Sequence, residues 1–304
     1  VSTDVAINKQ ASWHDWRNEG LGGSDAAAAV GLSEYKSSFD LYLEKTRQAP
    51  RQELTAWHVK WGNRLEPAIA EAMQERLGCQ YLGSQVCYQN DDLPWQRATL
   101  DRLMVLEGAK AIGEFKSVTP AKAKTIGEDG DVDSLPTDWL IQANHQMSAS
   151  ALDLVVFGVF VGTFEDIRVF FVERNQGFID TLTEAEAEFW ECVQTRTPPP
   201  ARDARDAEAL IKHLGVIHEQ IELGGDVESL VDEYESIKAS IATLENEKDH
   251  ARAKIIEALG GSEFGLLPSG KVVKCSVTDV PGGTYERKPH RRLSLTFRSP
   301  KVTR

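Results

Sequence analysis

Cysteine is scarce in the 304 residues: Cys79, Cys87, Cys192 and Cys275 form no close pair. That spacing excludes a C-x-x-C redox site, a zinc knuckle and a clustered iron-sulfur site, and it predicts reduced thiols in a cytoplasmic protein. No apolar run approaches the ~20 residues that span a bilayer, and the richest, Leu154 to Gly162, has the length of a buried strand. Val1 to Gln10 is polar and lacks the basic-then-apolar order of a signal peptide, so secretion is not expected. Positive charge is scarce as well. With 34 Lys+Arg against 47 Asp+Glu the net charge is −13, which disfavours coating nucleic acid through bulk charge. No tryptophan follows Trp190, and no internal repeat is visible.

What is present is ordinary in bulk and uneven in distribution. The 41% hydrophobic and 27% charged fractions suit a soluble globular chain with a real core. Pro198, Pro199 and Pro200 interrupt any helix, which places a linker at 198–204 between a domain at 1–197 and a helical hairpin at 205–260. A basic tail, 261–304, follows. The acidic excess is shared between the first domain and the hairpin, whereas residues 270–304 carry 9 basic and 2 acidic side chains. In the first domain, helices are predicted over Ser12–Glu19, Ser38–Thr46, Thr55–Leu77, Asp138–Ala151 and Gly177–Thr195. Strands are predicted over Gln85–Gln89, Arg97–Leu106, Lys110–Val118, Leu154–Val161 and Ile167–Val172. A Glu107-Gly108 turn joins the second and third of these. Helices around a small mixed sheet, an α/β (α+β) fold, are the economical architecture.

The second part holds a heptad-like seam: Val227, Leu230, Tyr234, Ile237, Ile241, Leu244, Lys248, Ala251, Ile255 and Ala258. A weaker stripe over Ala204–Leu223 completes a hairpin whose seam closes either within one chain or between chains. Gly260-Gly261 stops the second helix, and short strands are predicted at Lys271–Val277 and Leu293–Phe297. The tail cations Lys271, Lys274, Arg287, Lys288, Arg291, Arg292 and Arg298 suit either a DNA backbone track or a solubilising tail.

Chemistry concentrates in Thr99-Leu100-Asp101 and Gly113-Glu114-Phe115-Lys116. In a strand Glu114 and Lys116 share a face while Phe115 packs into the other, and a hairpin can bring Asp101 beside Glu114. Two carboxylates and a backbone carbonyl make a hard oxygen site of the kind Mg²⁺ prefers, with a lysine beside it to orient or deprotonate water. The spacing alone fits exposed strand-edge charges too, since Glu34-Tyr35-Lys36 and Glu286-Arg287-Lys288 repeat it. Gly22-Gly23-Ser24-Asp25 puts Ser24 or Asp25 at a helix N-cap, where free N–H groups with Arg17 would hold a phosphate, or where the helix is simply capped. Glu66 fits a solvated helix position equally well.

In order and spacing, Trp13-His14-Asp15-Trp16-Arg17, Gly22-Gly23-Ser24-Asp25, Trp61-Gly62-Asn63-Arg64-Leu65-Glu66, the two strand segments and Gln142-Ala143-Asn144-His145-Gln146-Met147 resemble YqaJ-type viral recombinases over residues 12–195. Those proteins belong with phage lambda exonuclease in the PD-(D/E)XK nuclease superfamily. The resemblance implies a restriction-endonuclease-like core and a Mg²⁺-dependent 5′-to-3′ exonuclease, with one or two ions, Mn²⁺ serving in their place. It implies Asp101, Glu114, Lys116 and Gln142 as catalytic, with Glu66, Asp101, Glu114 and the Phe115 carbonyl around the metal. Arg17 and Ser24 would receive the 5′-phosphate. Gln146 has a supporting or purely structural role, because Asn144 stands where many relatives have a second glutamine. His145 is expected to be a surface or outer-sphere residue rather than a ligand. Implied partners are linear double-stranded DNA, a single-strand annealing protein of the RecT or Red-beta type, and further copies in a trimeric ring, with no membrane. The alternatives are an endonuclease on the same core and a noncatalytic DNA-binding assembly protein.

Overall fold

The computed structural model of the chain describes residues 2–4, 10–50, 57–162, 167–201, 206–209, 213, 222–280 and 290–298. It begins with β1 (Ser2–Asp4), α1 (Gln10–Asn18), α2 (Gly23–Ala29), α3 (Ser38–Lys45) and α4 (Trp57–Leu77). The strands β2 (Gln80–Asn90), β3 (Arg97–Leu106) and β4 (Ala109–Ser117) follow. Then come α5 (Thr137–Ser150), β5 (Leu154–Phe160), β6 (Ile167–Glu173) and α6 (Gln176–Thr195). Side-chain oxygens of Ser37 and Asn175 start α3 and α6 by accepting the backbone N–H of Asp40 and Phe178. Among the described residues no helix is long and apolar enough to cross a membrane.

The chain divides into two compact units, residues 1–217 and 218–304. In the first, six strands form one sheet in sequence order, antiparallel except for the parallel pair β4–β5. A parallel pair requires a crossover, and α5 supplies it, lying across one face of the sheet. Ile112 packs on that face with Ala143 and Met147 of α5, whereas Ala111 and Phe115 pack on the other with Ile69 and Met73 of α4. Strand alternation therefore turns Glu114 and Lys116 toward α5. Past the three prolines, Asp206 is buried and accepts the N–H of Phe39 at 3.1 Å, so residues beyond 198–204 still pack on the first unit.

Two glycines allow close approaches that shape the site. At Gly158 on β5 a Cβ would lie 2.7 Å from Met73 Cγ, so α4 rests almost on the strand backbone. At Gly23 it would lie 3.1 and 3.2 Å from the Cγ atoms of Gln146 and Gln142, so the start of α2 is pressed against α5.

Three expectations need correction. Helical spacing grouped Trp57 and Trp61 with the apolar stripe of α4, yet they are 66% and 52% exposed, with the Arg64 guanidinium 5.7 and 5.3 Å from their rings. The stripe therefore enters the core only from Leu65 onward. The N-cap of α2 is Gly22, not Ser24 or Asp25, which fall inside the first turn. Strand β2 starts five residues earlier than expected, with a register shift between Tyr81 and Gly83.

The second unit contains α7 (Gly225–Leu259) and the antiparallel strands β7 (Phe264–Leu266), β8 (Val272–Val280) and β9 (His290–Arg298). The short β7 was not anticipated. The other arm of the expected hairpin lies outside the described residues apart from 206–209 and 213, as do Arg287 and Lys288. Lys274 lies 3.3 Å from Glu263 and 5.3 Å from the Phe264 ring centre.

Candidate active site

Antiparallel pairing of Arg102 with Gly113 sets Asp101 and Glu114 one residue beyond that pair, on neighbouring strands. Asp101 Oδ2 accepts the backbone N–H of Phe115 at 3.0 Å. Glu114 is 3% exposed, and its carboxylate is gripped from two sides. Lys116 Nζ and Gln142 Nε2 donate to Oε1 at 2.7 and 2.6 Å, and Gln146 Nε2 donates to Oε2 at 2.8 Å. Lys116 also donates to Gln142 Oε1 at 3.0 Å. The i, i+4 spacing of Gln142 and Gln146 places both on the sheet-facing side of α5.

The electrostatics of this cluster are incomplete. Burial, then the Glu114 carboxylate, push the Asp101 pKa up to about 8. Burial opposes the charge of Lys116, but Glu114 and Asp101 outweigh it and hold its pKa above the ordinary lysine value. One ammonium therefore serves two carboxylates, a deficit that a divalent cation would relieve. Asp101, Glu114 and the Phe115 carbonyl offer hard oxygens of the kind such an ion accepts while keeping several waters. Among the described residues no three Asp, Glu, His or Cys side chains converge into a ready-made cage. Glu66 is present on the same wall but already engaged: Arg102 Nη1 and Gln85 Nε2 donate to its Oε1 at 3.0 and 3.4 Å.

Asp101, Glu114, Lys116, Gln142, Gln146 and Glu66 line one cavity of about 770 Å³, together with Trp13, Trp16, Arg17 and Ser24. At that end Arg17 donates to Ser24 Oγ and stacks 5.3 Å from the Trp13 ring, whose Nε1 donates to Thr99 Oγ1 at 3.2 Å. Nearby Asp25 would cancel Arg17, but Asp25 is buried against Lys45 at 2.8 Å, which also donates to the carbonyls of Gly20 and Arg17. Burial works against the Asp25 charge, yet Lys45, Arg17 and Lys36 hold its pKa below the ordinary range. Arg17 Nε and Trp16 Nε1 are buried donors without a partner. A charged guanidinium beside a neutral indole N–H suits a phosphate oxygen.

All the expected site side chains thus line one cavity, while the ring of Phe115, expected only for its carbonyl, packs on the opposite face of the sheet, and Gln146 touches Glu114 directly. Sequence reasoning missed Arg102, Trp16 and Lys45. Arg102 follows Asp101 immediately, the one local signal available, while Lys45 is set by tertiary packing. His145 is neither surface nor near a metal position. It is fully buried, its Nδ1 lies 2.7 Å from Glu186 Oε1, and its Nε2 faces the carbonyls of Leu21 and Arg97 at 3.1 and 3.0 Å. Burial disfavours its charge, but Glu186 and those carbonyls raise its pKa.

Comparison with known proteins gives similarity to one family and a shared fold. A family model described as a YqaJ-like viral recombinase domain matches residues 12–153. The uncharacterized protein YqaJ of Bacillus subtilis (strain 168) is 26% identical over 272 residues, spanning 86% of this chain and 83% of that protein. An alkaline exonuclease from Laribacter hongkongensis, LHK-Exo, superposes with a TM-score of 0.52 at 15% identity, covering 62% of this chain and 94% of that one. LHK-Exo in complex with dAMP gives 0.52 and 15%, with 67% and 98% covered. The structural likeness fixes the fold as a PD-(D/E)XK-type core.

Proposed function

We propose, from the similarity of residues 12–153 to the YqaJ-like viral recombinase domain and from the geometry of the site, that this chain is a metal-dependent deoxyribonuclease degrading linear duplex DNA 5′ to 3′ from its ends. The observation that carries this reading is the shared cavity. A carboxylate pair short of positive charge lies at one end, and unpaired anion-seeking donors at Arg17 and Trp16 lie at the other. An internal cutter has no terminal phosphate to place on such donors.

Asp101, Glu114 and the Phe115 carbonyl would hold the ion, Mg²⁺ by the hardness of the donors, with Glu66 turning inward from Arg102 if a second is taken. When bound, such an ion supplies positive charge against the phosphodiester and makes water a stronger acid. The side chains do the rest. Lys116, held by Glu114 and Gln142, positions the attacking water and steadies charge as it builds on phosphorus oxygens. Gln142 and Gln146 fix the Glu114 rotamer, so the carboxylate cannot swing away when the substrate arrives. Arg17 and Ser24 hold the 5′-phosphate and set the distance from the end to the scissile bond. The single strand left behind is the natural substrate of an annealing protein of the RecT or Red-beta type.

The test is digestion of linear duplexes with 5′-phosphate or 5′-hydroxyl ends, and of covalently closed circles, with Mg²⁺ or chelator. Digestion is expected for linear DNA alone, faster from the phosphorylated end, with metal only. Cleavage of closed circles would overturn the exonuclease reading, and full activity in Glu114→Ala would overturn the site.

A further inference from the structure

The 35-residue helix α7 carries an apolar seam that stays open among the described residues: Leu230, Tyr234, Ile237, Ile241 and Leu244 are 52–65% exposed. At 1.5 Å per residue the helix is about 50 Å long, and its seam runs for five heptads, beyond the three to four that mark a coiled coil. A lone helix this polar on its other faces gains little from leaving such a stripe in water. We infer that α7 pairs with α7 of a second copy of this chain, antiparallel and about a two-fold axis.

Direction follows from the side chains. A parallel, in-register pair would set Lys248 against Lys248 and Tyr234 against Tyr234 in the seam, and Ala251 and Ala258 against themselves, leaving crowded and empty layers in turn. An antiparallel pair centred between Ile241 and Leu244 sets Tyr234 against Ala251 and Val227 against Ala258, large on small. Ile241 then meets Leu244, Ile255 meets Leu230, and the Lys248 ammonium leaves the seam past Ile237 on its own stem. The flanks agree. Antiparallel pairing brings Glu233 beside Lys254 and Lys238 beside Glu245, each contact made twice by symmetry, and sets no like charges together. Lys238 at present has only an exposed contact with Glu235, at 3.5 Å, among the described residues.

Light scattering on the full chain should give the mass of two 33.7-kDa copies. Leu244→Lys should give the single-chain mass with helix content and nuclease activity kept. Glu245→Lys should weaken dimerisation at least tenfold, and Lys238→Glu added to it should restore it. Tyr234→Cys with Ala251→Cys should cross-link two chains under oxidation. A single-chain mass for the unmodified protein at tens of micromolar would mean that residues 204–223 of the same chain occupy the seam, and would overturn the inference. So would a three-chain mass unchanged by Leu244→Lys. Failure of Lys238→Glu to rescue Glu245→Lys would overturn the antiparallel direction.

Discussion

Helix α5 holds two buried glutamates in opposite states. On one side Glu186, 0% exposed, is closed off: His145 faces one oxygen and Gln96 donates to the other at 3.2 Å, with Leu21 and Arg97 carbonyls behind the imidazole. On the other side Glu114, 3% exposed, shares a single lysine with Asp101 and opens onto a cavity. The first arrangement is complete within the chain and can only hold α6 and α5 together. The second lacks positive charge and has room for it. Burial of an acid does not mark a site by itself; the missing counter-charge does.

That contrast can be broken from either side. The largest effect is expected from Glu114→Ala or Lys116→Ala, which should lower digestion of linear duplexes by a factor of about 10³ or more; the unfolding midpoint should stay level or rise in Glu114→Ala, whereas Lys116→Ala, which strips two buried carboxylates of their ammonium, should lower it. Glu186→Ala should do the reverse. It leaves a buried imidazolium without its partner, costing about 3–5 kcal/mol in urea unfolding, while the protein that remains folded keeps its activity. Gln142→Ala or Gln146→Ala should reduce metal affinity or turnover about 10- to 100-fold, read by calorimetry and by rate.

The pH response separates the two clusters further, through Asp101 in one and His145 in the other. Asp101 and His145 both have folded pKa values above their unfolded ones, so both contribute stability that is present at low pH and lost as pH rises. For Asp101 the loss runs from about 4 to about 8. Mg²⁺ should abolish that part of the slope, as should Asp101→Asn without metal, whereas the His145 part should persist in both. Metal-free unfolding with the same pH slope in Asp101→Asn would refute the charge deficit. The smallest effect is expected at the far end of the cavity, where Arg17→Ala should raise KM about tenfold for 5′-phosphorylated ends and leave 5′-hydroxyl ends unchanged.

What sequence could reveal follows from the range over which each feature is encoded. The β3–β4 hairpin is local: alternation fixes the faces, Glu107 and Gly108 at φ 51° and 85° make the turn, and Asp101, Glu114 and Lys116 follow at once. Gln142 and Gln146 come from the family resemblance alone, since helical spacing puts both on one face without saying what that face meets. His145 and Glu186 lie 41 residues apart on two helices, and nothing local to either announces the other. Trp57 and Trp61 fit the apolar period of α4 and still project outward, because periodicity reports spacing and not where the core ends.

The empty place at Gly158 has a mechanical consequence. Because β5 offers no side chain there, α4 settles against the sheet to the thickness of bare backbone, with Met73 filling the gap. The same helix carries Glu66 and Asn63 along the cavity wall. A single methyl group at position 158 would act as a shim beneath α4, lifting it as one rod and widening the gap between Glu66 and the strands that carry Asp101 and Glu114.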